Sequence, residues 1–202
     1  MAAVTVNPEA IRAFPDATSF ADWLAGQHDK AGEVWLKLFK KQSGVPTISY
    51  AEALDIALCW GWIDGQKKPF DDNAFLQRFC PRGAKSIWSQ RNIGHAERLI
   101  GEGRMTRFGE AQIDAAKADG RWQRAYAAGR DMEIPDDLRA AIRANPAAEA
   151  TFATLNRQNL FSLAFRTHNM KTPAGRAKKI AGFVDMLARG ETIYPNGKGK
   201  QK

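Results

Sequence analysis

Three short blocks rich in tryptophan and charge mark the middle of the chain: CWGWIDG at 59–65, FCPR at 79–82 and KSIWSQRN at 85–92. Three of the six tryptophans lie in these blocks, at Trp60, Trp62 and Trp88. Apolar bulk interrupted by acids and bases is the composition of a pocket or a groove. The blocks match no known catalytic signature, so they predict where a site would lie and leave its reaction open.

The segments that flank the first block predict two strands and a core helix. Residues 33–41 alternate apolar and polar side chains, which indicates a strand. Phe75–Cys80 predicts a second strand, antiparallel to the first and ended by Pro81. Between the strands, Ser49 and Glu52 have the spacing of a capping box, so a helix that is apolar nearly all round is predicted from residue 50 to about 63.

Turns and caps divide the rest of the N-terminal half. Asp64-Gly65 predicts a turn, and residues 66–73 predict a polar loop. Ser19, Ser86 and Thr106 are the predicted caps of three more helices, which end near residues 27, 101 and 119.

The C-terminal half has helix starts and no strand pattern. Pro135, Asn145-Pro146 and Thr172-Pro173 each begin an apolar-periodic segment. We therefore predict an α+β fold, with a small antiparallel sheet and packed helices in the N-terminal half and an all-helical C-terminal half. The predicted domains are an α+β core at 19–126, a helical region at 134–190 and a flexible basic tail at 191–202.

Composition narrows the class of protein. The 202 residues are 44% hydrophobic and carry a net charge of +8. A basic balance favours an acidic partner, such as a nucleic acid, an anionic small molecule or an anionic membrane face, without choosing among them. The first residues show no secretory signal and no apolar run could span a membrane, so we expect a cytoplasmic protein. Two cysteines, Cys59 and Cys80, are no disulfide framework.

The blocks also resemble a known family. The residues at 59–65, Phe-x-Pro-Arg at 79–82, Ser-x-Trp-Ser-x-x-Asn at 86–92 and Gly-Arg-Met at 103–105 are similar to the YdeI/OmpD-associated (OmdA-like, bacteriocin-protection) family. Lys-Thr-Pro at 171–173 resembles its C-terminal motif, although Ala174-Gly175 replaces the family's Glu-Thr. The resemblance implies tolerance of cationic antimicrobial peptides and a periplasmic location. It supplies no catalytic residues.

The first candidate site comprises six residues: Asp64, Arg82, Lys85, Ser86, Trp88 and Asn92. Two bases just before a helix that begins at Ser86 would form an anion site, because the first amide hydrogens of a helix are free. Trp88 could stack on a ring, and Asp64 could orient Arg82. The alternative is structural: a cap, a core tryptophan and an ion pair between Asp64 and Arg82.

Other combinations of reactive residues predict no metal and no cofactor. Asp64, Asp71 and Asp72 match no calcium loop, and a solvated turn explains them. Neither cysteine has a histidine near it in sequence, so both are interpreted as core thiols. The glycines at 101–109 follow no strand, and no phosphate-binding loop is found.

The second candidate is a basic surface on the last helix, made by Lys171, Arg176, Lys178 and Lys179 with the tail bases Lys198, Lys200 and Lys202. Such a patch could neutralise nucleic-acid phosphates, or it could be a solvated helix face. Three hypotheses follow. The leading one is a non-enzymatic stress-tolerance protein that binds an anionic or aromatic small ligand at residues 64–92. The second is a nucleic-acid-associated protein that uses the basic C-terminal helix. The third is an enzyme that acts on a phosphorylated or aromatic compound, with Asp64 as base and Arg82 and Lys85 as anion clamps.

Overall fold

The computed structural model describes residues 4–127 and 132–196. The chain divides into two compact units, Met1–Ala125 and Tyr126–Lys202, each with a hydrophobic core of its own. The protein is mixed α+β: its sheet lies in the N-terminal half, and the C-terminal half is helical from residue 136 onward. The fold class is confirmed at this level.

The sheet of the first unit has the spatial order β1-β2-β4-β3, with β1 at Ile11–Arg12, β2 at Val34–Phe39, β3 at Trp62–Pro69 and β4 at Ala74–Pro81. β4 runs antiparallel to both β2 and β3, as predicted for the pair β2 and β4. β1, in contrast, is parallel to β2, so the predicted antiparallel sheet is wrong in this respect and the sheet is mixed. The connection between β1 and β2 contains a helix, which is the crossover that a parallel pair requires.

The helices of the first unit are α1 at Ala17–Gln27, α2 at Tyr50–Cys59, α3 at Gln90–Gly101 and α4 at Arg107–Ala118. The caps predicted at Ser49 and Thr106 are confirmed. The other two are wrong, because Asp16 caps α1 and Ser89 caps α3. Ser19 donates its own amide hydrogen to the Asp16 carboxylate, a stronger acceptor at the positive end of the helix dipole.

The helix α2 ends earlier than predicted, and β3, which contains Asp64, begins in its place. The helix ends at Cys59, four residues before the predicted end at residue 63. Gly61 has a φ of +73°, and a Cβ atom there would lie 2.8 Å from the Phe108 carbonyl oxygen. Glycine therefore both reverses the chain and admits α4. The predicted turn and residues 66–69 of the predicted polar loop are in fact part of β3, an edge strand whose residues 65–67 are exposed, whereas residues 70–73 join β3 to β4 outside the strands.

The second unit consists of α5 at Asp136–Arg143, α6 at Pro146–Phe152, α7 at Arg157–His168 and α8 at Pro173–Ala188. The helix starts predicted at Pro135, Asn145-Pro146 and Thr172-Pro173 are confirmed. Its core contains Leu138, Ile142, Ala148, Leu163, Phe183 and Leu187. Within the two described ranges, no helix is both long enough and apolar enough to cross a bilayer.

Candidate functional site

The antiparallel pair β3 and β4 positions the first candidate residues. Trp62 lies opposite Pro81 and Asp64 lies opposite Phe79. The amide of Arg82 donates to the carbonyl oxygen of Gly61 at 3.0 Å, which extends the pairing by one residue beyond β4. The chain then leaves the sheet and reaches α3 through residues 83–89.

Arg82 and Trp88 form a buried stack. The guanidinium carbon of Arg82 lies 3.6 Å from the centre of the Trp88 ring, within the range of a cation–π contact. Arg82 is 6% exposed and Trp88 is 2% exposed. Nη1 of Arg82 also donates to Ser86 Oγ at 3.3 Å and to the Ile87 carbonyl at 3.4 Å. The arginine therefore fixes the course of the chain between β4 and α3.

Residues from the end of α4 hold the same segment from another side. Arg121 donates through Nη1 to the carbonyl oxygen of Ser86 at 2.8 Å. The Trp122 ring lies 4.9 Å from the Trp88 ring, and Lys117 Nζ lies 5.4 Å from the centre of the Trp122 ring. We call Arg82, Lys85, Trp88, Arg121 and Trp122 the Trp88 cluster. Its Lys85 is exposed.

The indole of Trp88 carries a buried donor that has no acceptor among the described residues. Its Nε1 is buried and makes no hydrogen bond to any described residue. Leaving such a group unsatisfied costs about 1–3 kcal/mol, and native structures pair nearly all buried polar groups. The indole of Trp62, by comparison, donates to the His28 carbonyl oxygen at 3.1 Å. An acceptor beside Trp88 would therefore stabilise this part of the fold.

Asp64 belongs to a different arrangement from the one predicted. Its Oδ2 accepts a hydrogen bond of 2.8 Å from the Tyr50 hydroxyl at the start of α2. Among the described residues, Asp64 and Arg82 do not form the ion pair that the sequence suggested. Burial, and then the charge of Asp64, raise the pKa of Tyr50, while the charge of Arg91 acts in the opposite direction. Tyr50 therefore stays a neutral donor to Asp64.

Asn92 and Ser86 have local roles at the start of α3. The main-chain amide of Asn92 donates to Ser89 Oγ at 3.1 Å, so this residue completes the cap. The predicted anion site at a helix that begins with Ser86 is corrected, because α3 begins at Gln90. The free amide hydrogens of its first turn lie beyond Lys85 and Ser86 in the chain.

The cysteines and the aspartates of the β3–β4 turn do not form a reactive group. Burial raises the pKa of the Cys59 thiol to about 11 and also raises that of Cys80, so both are protonated near neutrality. Asp71 accepts the amide hydrogen of Asn73 and pairs with Lys37 at 3.4 Å. The described parts of the chain contain no group of three or more metal-binding side chains placed to hold an ion.

Part of the positive charge of the second candidate surface is already engaged in an ion pair. Arg176 makes a two-fold ion pair with Asp137 through contacts of 2.6 and 2.8 Å, and it donates to the Thr167 carbonyl at 2.8 Å. It therefore ties α8 to α5 and α7. Lys171 and Lys178 are exposed, and Lys179 Nζ lies 5.8 Å from the Phe183 ring. The tail bases Lys198, Lys200 and Lys202 lie outside the described residues.

Sequence reasoning missed two residues of these arrangements, Tyr50 and Arg121. Tyr50 follows Ser49, so the capping box already places it in the first turn of α2. Nothing local shows that its hydroxyl reaches a residue fourteen positions later. Arg121 follows Gly120, whose φ of +76° turns the chain at the end of α4. That turn directs the arginine towards Ser86, a contact that depends on tertiary packing.

The family comparisons divide the chain in two. Residues 12–112 match a family described as a domain of unknown function (DUF8412). Residues 131–190 match the family described as "Bacteriocin-protection, YdeI or OmpD-Associated", which confirms the resemblance for that part. The tryptophan-rich blocks lie in the first match and the Lys-Thr-Pro motif lies in the second. No curated protein and no solved structure matches the chain.

Proposed function

The chain belongs to the family of the domain of unknown function DUF8412, and its residues 131–190 match the bacteriocin-protection, YdeI or OmpD-associated family. We propose that it is a non-enzymatic protein that binds a small anionic ligand at the Trp88 cluster. The ligand carries an oxyanion, either a phosphate or a carboxylate. The observation that carries the proposal is the buried indole N–H of Trp88, which lies near cationic side chains and has no acceptor in the described part of the chain.

The charges around Trp88 favour an anion. Lys85 makes no ion pair with any described residue and is exposed. Lys117, Arg121 and Arg124 follow at the end of α4, where one acid, Asp119, pairs with Arg121 at 2.6 Å. Among the residues that the structure describes, positive side chains thus outnumber acids at this place, which raises the local concentration of anions. Because Trp88 is buried, a ligand must displace neighbouring side chains to reach its N–H.

The same part of the structure supports binding more than chemistry. Both thiols have raised pKa values and are therefore poor nucleophiles. Asp64 accepts from the Tyr50 hydroxyl and, among the described residues, forms no ion pair with Arg82, so the proposed base and the proposed anion clamp are not joined directly. An oxyanion held by Lys85 and the indole N–H would have no general base among the residues of the Trp88 cluster.

The family description suggests that binding contributes to stress tolerance. A net charge of +8 would repel a cationic peptide, so direct capture of such a peptide is disfavoured. Tolerance through an anionic ligand is compatible with that charge. The hypothesis that an aromatic ligand stacks on Trp88 loses its support, because Arg82 and Trp122 already pack against the Trp88 ring.

The test is the melting temperature of the full chain with inorganic phosphate, nucleoside monophosphates and small carboxylates. A ligand at 100 times its dissociation constant stabilises the folded state by about 2.7 kcal/mol, which raises the melting temperature. We expect a shift that is lost in Lys85→Ala and in Trp88→Phe, the second of which keeps a ring and removes the N–H. Arg82→Ala is less informative, because a buried guanidinium also supports the fold.

Lys178→Ala is the matched control, because it removes an exposed lysine of the second unit. It should keep the full ligand shift. The proposal fails when none of the anions raises the melting temperature of the wild-type chain. It also fails when Lys85→Ala and Trp88→Phe both retain the shift, since the ligand would then bind elsewhere.

A second candidate function is association with nucleic acid through α8. Lys171 and Lys178 favour it, because both are exposed and neither pairs with a described acid. The firm pairing of Arg176 with Asp137 reduces the charge that the helix can offer. Replacing Lys171 and Lys178 together with alanine should lower DNA retention and its salt dependence. Unchanged retention would exclude this surface.

A further inference from the structure

One corner of the sheet in the first unit combines lysines with aromatic rings. We call it the sheet corner; it consists of Lys37, Phe39, Lys68 and Phe70, with Lys40 and Lys41, which follow the end of β2 directly in the chain. Val34, Leu36 and Leu38 of β2 are buried in the core, so the alternating residues Lys37 and Phe39 point to the opposite face. Leu76 of β4 lies between Lys37 and Lys68 in the strand pairing, which places both lysines on that same face.

Phe70 gives this corner an exposed ring. Its exposure is 47%, unusually high for a phenylalanine, and it follows the end of β3. Lys37 Nζ lies 4.4 Å from the centre of the Phe70 ring and 4.9 Å from that of Phe39. The ammonium group therefore lies against both rings and holds Phe70 in place. A ring that is fixed and half-exposed can stack on another planar group.

The lysines of the corner outnumber its acids. Lys37 pairs with Asp71 at 3.4 Å, and Lys40 Nζ donates to the Asp72 carbonyl oxygen at 3.0 Å. Lys41 and Lys68 have no acidic partner among the described residues. Four lysines thus face two aspartates, Asp71 and Asp72, and two of the lysines are available to an anion.

We propose that the sheet corner binds single-stranded nucleic acid. Lys41 and Lys68 would contact backbone phosphates, while Phe70 would stack on one base. This combination of a cationic surface and an exposed aromatic ring is how proteins hold single strands without sequence preference. A duplex offers the same phosphates but keeps its bases stacked on one another, so Phe70 would find no partner. An acidic peptide could use the lysines and would leave the ring unused.

The experiment measures the fluorescence anisotropy of a dye-labelled oligothymidylate of about twelve nucleotides with the full chain, over salt concentrations from about 50 to 200 mM. We expect Phe70→Ala to weaken binding by about 10-fold, the effect of losing one stacked base. We expect Lys41→Ala with Lys68→Ala to reduce the slope of log affinity against log salt by about 1.4, since each phosphate contact contributes about 0.7.

Ile100→Ala is the matched control, because Ile100 is also an exposed large apolar residue, at 43%, but belongs to α3. Its affinity should equal that of the wild type. The proposal is overturned if the oligonucleotide does not bind at about 50 mM salt, or if a duplex competes as well as the single strand. It is also overturned if Phe70→Ala binds normally while the Lys171 and Lys178 variant does not, which would assign binding to α8. None of these outcomes depends on the ligand site at the Trp88 cluster.

Discussion

Trp62 and Trp88 show how much one hydrogen bond contributes to a buried indole. Both side chains are almost fully buried. Trp62 donates its N–H to the His28 carbonyl, whereas the N–H of Trp88 has no acceptor within residues 4–127 and 132–196. Replacement by phenylalanine removes similar volume at both positions. Trp62→Phe also leaves a carbonyl without its donor, whereas Trp88→Phe removes a donor that had no acceptor. We expect Trp62→Phe to lower the free energy of unfolding by about 1 kcal/mol more than Trp88→Phe.

Urea unfolding followed by far-ultraviolet circular dichroism measures this difference, since neither substitution affects that signal directly. The comparison is made in a buffer without phosphate or carboxylate. Equal losses for the two variants would contradict the prediction, because they would mean that the Trp88 N–H already has an acceptor in solution. The same outcome would weaken the ligand proposal, which depends on that donor.

Two helix caps of the first unit differ in whether a titrating group takes part in the cap. At the start of α2, Ser49 Oγ accepts from the Glu52 amide, and the Glu52 carboxylate accepts from the Ser49 amide at 2.9 Å. The Ser49 hydroxyl and amide hold the pKa of Glu52 below its ordinary value of 4.5. A depressed pKa means that this stabilisation is present above pH 4.5 and is lost as the pH falls through the folded-state pKa. Because Glu52 is exposed, solvent screening keeps the effect small.

We therefore expect Ser49→Ala to lower the stability by about 1 kcal/mol at neutral pH and by less in acid. Ser89→Ala is the control, because Ser89 caps α3 with Asn92 at the third position, where no acid titrates. Urea unfolding at about pH 7 and about pH 3.5 gives the loss of stability of each variant, relative to the wild type, at both pH values. A loss for Ser49→Ala that stays constant with pH would show that Glu52 does not take part in the cap in solution.

Local rules predicted the elements whose signals are local. The capping box at Ser49 and the proline-led helix starts of the second unit were correct, because each depends on residues within one turn. The predicted end of α2 was wrong, because the close approach of Phe108 from α4 requires glycine at position 61, and this contact is not local. β3 was missed since an edge strand can expose residues 65–67 and therefore lacks an alternating pattern.

The candidate site was predicted only in part, for the same physical reason. The sequence analysis grouped Arg82, Ser86 and Trp88. Arg82 contacts the other two in the structure, because at most six positions in the chain separate these residues. It could not place Tyr50 against Asp64 or Arg121 against Ser86, because these contacts join elements far apart in the chain. It also paired Asp64 with Arg82, a long-range contact that the fold does not make among the described residues.

The whole chain has two cores and an uneven distribution of fluorophores. All six tryptophans belong to the first unit, Met1–Ala125, so tryptophan fluorescence reports on that unit alone. The helices of the second unit contribute to circular dichroism together with those of the first. Comparing the two signals therefore separates the unfolding of one unit from that of the other.

Asn159 is the residue of the second unit best suited to this comparison. It is 1% exposed, its Nδ2 donates to the Tyr194 carbonyl at 3.1 Å, and its Oδ1 accepts from the Tyr194 amide at 3.0 Å. The side chain thus joins α7 to the segment that follows α8. Asn159→Ala leaves both main-chain groups of Tyr194 without these partners, which costs about 2–3 kcal/mol.

We expect Asn159→Ala to shift part of the circular dichroism transition to lower urea while the fluorescence midpoint stays at its wild-type value. Asn169→Ala is the control, because the Asn169 side chain makes one hydrogen bond to a described residue, the Phe165 carbonyl at 2.7 Å. Its loss should cost about 1 kcal/mol or less. If the two signals of Asn159→Ala move together, the cores unfold as one cooperative system. In that case a mutation in either unit would change ligand binding at the Trp88 cluster through stability alone, and the ligand tests would need variants matched in melting temperature.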